Sequence, residues 1–159
     1  MAKCFFTPMT TPREQIYSAL LTVLQSALLF PAGPFRTVGR RWQDPSQLSP
    51  ADRPALYQVQ KDELAKTSNI NSIPITWRAT VDLVLYSTGD TSPVTIPSTE
   101  LNSLLDAVEA AVRSAAPGLA QSLGGKVSHC RIEGKIEIVE NVQGAMALAV
   151  VPVEILLTA

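Results

Sequence analysis

One histidine and two cysteines limit what this chain of 159 residues can do by nucleophilic or metal chemistry. His129 adjoins Cys130 in a stretch that reads as a strand. Neighbouring side chains of a strand point to opposite faces, so the two do not make a nucleophile with its local base. Cys4, His129 and Cys130 together offer at most three soft ligands, whereas a structural zinc site takes four at characteristic spacing. His129 is therefore read as a partly exposed strand residue. Gly124-Gly125-Lys126 matches the tail of a phosphate loop, but the earlier glycine is missing and a strand rather than a helix follows, so it is read as a turn. Paired carboxylates occur as Asp62-Glu63 and as Glu133 with Glu137. The second pair alternates with Arg131 and Lys135, the ordinary charge mixing of a wet sheet face. No catalytic residue, no metal site and no cofactor is expected.

The basic group Arg36, Arg40, Arg41 with Trp42 supports two readings. Arginine and tryptophan are enriched at binding hot spots, so the group could meet phosphate or an acidic partner surface, with Trp42 as anchor. Alternatively the arginines cover a sheet edge and discourage aggregation. Direct DNA binding ranks below both. The candidate contact residues are Arg36, Arg40, Arg41 and Trp42, then Asp44, Asp52 and Arg53 in or beside the 43–54 loop, Tyr57 just after it, and Asp90 in the 87–97 loop.

These residues need a scaffold, and composition bounds it. The chain is 46% hydrophobic and 17% charged, with 13 basic and 14 acidic side chains and a net charge of -1. A chain of this size buries roughly 70% of its unfolded surface without metal or disulfide staples. The near-neutral balance argues against a basic-patch nucleic-acid binder and against a charge-driven membrane module. Two distant cysteines suggest a reducing compartment. The longest apolar run, 145–157, is broken by Pro152 and Glu154 and is too short to span a bilayer. Residues 1–10 are read as a flexible N-terminal extension, of which 1–8 are left out of fold reasoning because Met9 reads as a natural start; 11–159 are read as a single domain. Residues 1–60 carry a balance of +3 and the remainder -4. Opposite poles of this kind could bring identical subunits together head to side.

Hydrophobic periodicity supplies the elements. Thr11-Pro12-Arg13-Glu14 reads as a capping hydroxyl, a first-turn proline and a capping-box glutamate, predicting a helix over 12–29. A strand is expected over 35–41, a stiff proline loop over 42–54 and a strand over 55–63. Ile75, Trp77, Ala79, Val81, Leu83 and Leu85 alternate with polar residues, the signature of a half-buried strand. Ser98 or Thr99 is expected to cap a second helix over 99–116. Residues 127–140 read as one strand with Cys130, Ile132, Ile136 and Ile138 on one face. Residues 145–157 are apolar on both faces, which means a central covered strand or one whose outer face meets another molecule. Pro152 in that strand marks a bulge or an unpaired edge position. The expected fold is α+β, a mainly antiparallel sheet with two helices packed on one face.

Several strings in this order carry a resemblance: Thr-Pro-Arg-Glu-Gln-Ile-Tyr-Ser-Ala-Leu (11–20), Phe-Arg-Thr-Val-Gly-Arg-Arg (35–41), the proline-broken loop, Arg-Pro-Ala-Leu-Tyr-Gln-Val (53–59) and the closing Val-Pro-Val-Glu-Ile-Leu (151–156). Together they resemble the small tail-terminator or tail-completion proteins of tailed bacteriophages and prophages. The resemblance implies a non-enzymatic structural protein of the virion tail, assembled in the bacterial host cytoplasm. It implies a hexameric ring of identical subunits that caps the tail tube and prepares it for joining to the head. The implied partners are the protein itself, the tail tube protein and a head-completion or connector protein, with no membrane and no sequence-specific nucleic acid. The alternatives are another head–tail joint or minor tail component, or a small ligand-binding module or enzyme.

Overall fold

The structure is a computed structural model, and residues 12–67, 76–113 and 116–158 of it are described. The N-terminal extension, the Thr11 cap, Cys4 and the start of the predicted strand at Ile75 lie outside those residues. The elements run α1 (Arg13–Leu28), β1 (Thr37–Gly39), two short 3-10 turns (Pro45–Gln47 and Pro50–Asp52), β2 (Ala55–Lys66), β3 (Thr76–Tyr86), α2 (Pro97–Val112), β4 (His129–Ile132), β5 (Glu137–Val142) and β6 (Met146–Thr158). The sheet order is β1-β2-β3-β6-β4, with β5 also on β6. Every pair is antiparallel except β1 with β2. This is the expected α+β architecture.

Both helices lie on one face of the sheet. Ile16, Leu20, Leu24 and Leu28 of α1 and Leu101, Leu104, Val108 and Val112 of α2 share one core with Ala79, Val81, Leu83 and Leu85 of β3 and Ala147, Ala149, Val151, Val153 and Ile155 of β6. Each fully buried aliphatic side chain contributes about 1.5–3 kcal/mol. The close seating of the α1 exit needs Gly33, where a Cβ would come within 2.3 Å of the Leu28 Cα.

The helix ends differ from expectation. The first helical residue is Arg13, and Pro12 stands at the cap position. Glu14 turns away from the backbone to bond Arg40 and Ser18. The second helix starts at Pro97, whose ring presets the helical φ, rather than at Thr99. It ends at Val112, and Arg113 is already extended. Residue 116 is not helical, because Pro117 disfavours the helical region at the residue before it. The predicted strand 35–41 shrinks to Thr37–Gly39, while β2 runs three residues beyond Glu63.

The expected single strand 127–140 is two strands placed end to end along β6. The break is at Gly134, with a φ of 123°, where a Cβ would lie 3.0 Å from the Pro152 ring. Cys130 faces the helices as expected, but Ile136 and Ile138 are exposed at 42% and 49%. The periodicity continues through a glycine at which the chain leaves the sheet. Pro152 itself sits in a central strand opposite Asp82. The Glu133 N–H donates to the Pro152 carbonyl across the gap between β4 and β5. A strand residue turns its N–H and C=O to the same side, so the missing donor of Pro152 also faces that gap and costs the β3 ladder nothing.

Candidate functional site

The predicted contact residues fall into three places. At the β1 edge, Arg36 is exposed with its guanidinium 4.0 Å over the Phe30 ring. Arg40 donates to both carboxylate oxygens of Glu14 at 2.5 and 3.3 Å, tying β1 to the start of α1. That bond, followed by one from Ser18, holds the Glu14 carboxyl below the usual carboxylate range. Arg41 is exposed and makes no hydrogen bond or ion pair among the described residues. One backbone acceptor of β1 is already used, since the Gln25 amide donates to the Val38 carbonyl.

The second place is one end of the sheet, on the face away from the helices. The 42–54 loop folds over it, and Leu48 packs with Ala55, Tyr57, Tyr86 and Met146 in a small second core. Trp42 donates its indole N–H to the Tyr86 hydroxyl at 2.9 Å yet remains 49% exposed. Tyr57 and Tyr86 meet edge to face at 6.1 Å. Arg53 donates to the Leu48 carbonyl and so pins the loop. Its Nε and the Tyr57 hydroxyl are buried without a hydrogen-bond partner among the described residues. Burial pushes the Tyr57 phenol up. The sequence-predicted Trp42, Arg53 and Tyr57 are thus brought together, with Arg53 and Tyr57 serving to hold the loop in place.

The third group is turn carboxylates. Asp44 accepts from the Ser46 hydroxyl and N–H, and these bonds hold it below its usual range. Asp90 accepts from the Ser92 N–H and the Thr95 hydroxyl, with the same consequence. The Asp52 carbonyl, not its carboxylate, accepts from Thr37. These side chains shape loops.

Other residues of consequence carried no local signal. Glu63 accepts from Arg13, Tyr17 and Trp77 at 2.6, 2.8 and 3.0 Å. Burial works against its charge, but the three donors outweigh it and keep its pKa low. Glu154, 12% exposed, lies 3.1 Å from His129, 3.3 Å from Arg78 and 3.8 Å from Arg131 on the helix-free face. Its partners lie far off in sequence, and only the register across β3, β6 and β4 assembles them. His129 is thereby engaged, while Cys130 lies on the opposite face in the core, its thiol pushed up to about 12 by burial. The expected separation of these two is what the strand enforces.

Three features have the openness of a contact surface. The outer edge of β5 has no strand beyond it among the described residues, and Ile136, Ile138 and Val139 there are 42%, 49% and 50% exposed. Val59, Val84, Leu148 and Val150 form a half-buried apolar strip on the helix-free face. A groove of about 450 Å³ runs between the end of α2 and β4, lined by Val112, Leu119, Cys130 and Ile132 with Arg113 and Gln121. Among the described residues, no three His, Cys, Asp or Glu side chains gather as a metal site, and no helix is long and apolar enough to cross a membrane. No protein-family model and no curated protein matches the chain.

Proposed function

We propose that this protein works by assembly, as a subunit whose exposed edges meet copies of itself and neighbouring proteins, and that its assembly is the ring of a bacteriophage tail terminator. The observation that carries the assembly reading is the β5 edge, which leaves Ile136 just before the strand and Ile138 and Val139 within it near half exposure, with no strand beyond them among the described residues. An open edge of that composition invites pairing or aggregation unless something covers it. The tail reading adds the resemblance of the strings at 11–20, 35–41, 53–59 and 151–156. The ring would stop growth of the tail tube on one face and present a different surface to the head on the other.

Electron microscopy of the purified protein mixed with tail tubes tests this. Rings seated on tube ends, with shorter tube populations, are expected. A protein that binds no tube end at any concentration overturns the tail reading.

The groove beside α2 favours a second reading, a small ligand-binding module. A ligand that raises Tm in the unmodified protein and loses that effect in Val112→Trp would support it.

A further inference from the structure

The sheet has two different edges, and they match each other. On one, Arg36 and Arg41 flank β1 without a carboxylate partner among the described residues, beside the exposed ring of Phe30 at 55%. On the other, Glu137 and Glu140 flank Ile138 and Val139. Glu137 has only a 3.6 Å contact to the largely exposed Lys135, and Glu140 has no ion pair among the described residues. Because the strand order runs from β1 at one side to β4 and β5 at the other, the basic aromatic edge and the acidic aliphatic edge are on opposite sides of the subunit. In the sequence, residues 1–60 carry a balance of +3 and residues 61–159 one of -4.

We infer that the occupant of the β5 edge is a second copy of this chain, docked by its β1 edge, so that subunits join head to tail. This rests on the assembly reading above and names its interface. Complementarity selects that arrangement over the two symmetric ones. Placing β1 edge on β1 edge sets arginines against arginines, and placing β5 on β5 brings its glutamates together; like charges held across an interface are strongly unfavourable. Side chains rather than a continuous backbone ladder make the joint, because Gln25 occupies the Val38 carbonyl. Arginine suits this task. Its five N–H donors can serve the glutamate carboxylates and the outward carbonyls of the β5 edge together, while Phe30 covers Ile138 and Val139. A contact between two different patches propagates, closing as a ring when the rotation permits.

Charge exchange tests the inference. The pair Arg36→Glu with Arg41→Glu, and separately the pair Glu137→Lys with Glu140→Lys, should each weaken self-association in analytical ultracentrifugation by roughly a hundredfold. Far-ultraviolet circular dichroism should stay unchanged. An equal mixture of the two double variants, and the single chain carrying all four changes, should regain association. The unmodified protein should dissociate more readily at 1 M salt than at about 0.1 M. The inference is overturned by a wild-type monomer at every accessible concentration, by a folded β1-edge variant that assembles normally while the β5-edge variant does not, or by folded variants that exchange of charge does not rescue. A variant that fails to fold leaves the mixture of the remaining variant with wild type as the reading, where incorporation through the intact edge is expected and its absence counts against the joint. Tube-end binding is scored on the same samples: wild type that associates through these edges yet ignores tubes sinks only the tail reading, and wild type that caps tubes while all edge variants assemble normally sinks only this joint.

Discussion

The two faces of the central strands have the same backbone and opposite fates. On β3, Val81, Leu83 and Leu85 are buried under the helices, while Thr80, Asp82 and Val84 between them lie half open. On β6, Val151, Val153 and Ile155 are buried, and Val150, Pro152, Glu154 and Leu156 face away from the helices. The covered face is nearly uniform aliphatic packing. The open face grades from the Tyr57, Tyr86 and Met146 cluster at one end, through a strip of valines, to the Glu154 ion cluster toward the other. Stability thus resides on the first face, and the second is free to vary its chemistry along its length.

Substitutions should separate the two faces. The largest effect is expected for Leu83→Ala, which removes a fully buried side chain and should cost about 2–5 kcal/mol in urea unfolding. Val84→Ala, one residue along, should cost about 1 kcal/mol or less because its side chain is only partly buried; equal losses at the two positions would mean that the open face is covered in solution.

A smaller and conditional effect is expected at Glu63, where the helix start is joined to the sheet. Its folded pKa is depressed, so its contribution is fully present above the unfolded pKa and is lost as pH falls through the folded value. Glu63→Gln should therefore lower Tm near neutral pH and flatten the acid limb between about pH 5 and the folded pKa. An acid limb identical to wild type would show that the three donors do not favour the charged form.

The smallest effect is expected under the 42–54 loop. Tyr57→Phe removes a buried hydroxyl that has no partner among the described residues and should change stability by about 1 kcal/mol or less, toward greater stability. A marked loss would reveal that the hydroxyl is satisfied, for example by an internal water. At the β1 edge, Arg41→Ala should leave the circular dichroism of the folded subunit unchanged, whereas Arg40→Ala should lower Tm slightly by releasing Glu14.

Much of the scaffold is legible in the residues. The alternation from Trp77 to Leu85 could serve only a half-buried strand, and the doubly apolar 145–157 run identifies the strand at the middle of the sheet. The misreading of 127–140 has a clear cause. Alternation in Ile132, Ile136 and Ile138 is preserved across Gly134, and periodicity does not register that the chain lifts off the sheet there to pass Pro152. The start of the second helix was displaced because Ser98-Thr99 is a valid cap by local rules, while Pro97 already presets the first turn and Glu100 bonds Thr88.

The candidate contact residues were partly legible for a related reason. Residue type marks Arg41 and Trp42 as exposed contacts, but it cannot tell Arg41 from Arg40, which an ion pair across 26 residues commits to the fold. Nor could it find the exposed Ile138, which lies beyond the break at Gly134.

What the sequence by itself determined is what depends on spacing along one chain: the α+β class, the sheet-forming and helix-forming stretches, the division of His129 from Cys130, and the opposite charge of the two halves. What tertiary structure alone decided is what depends on which distant residues become neighbours. Register across β3, β6 and β4 gathered Arg78, His129 and Arg131 around Glu154, and strand order set the basic and acidic edges on opposite sides. Those outcomes are set by pairing across tens of residues, and no local pattern encodes the free energy of closing such contacts.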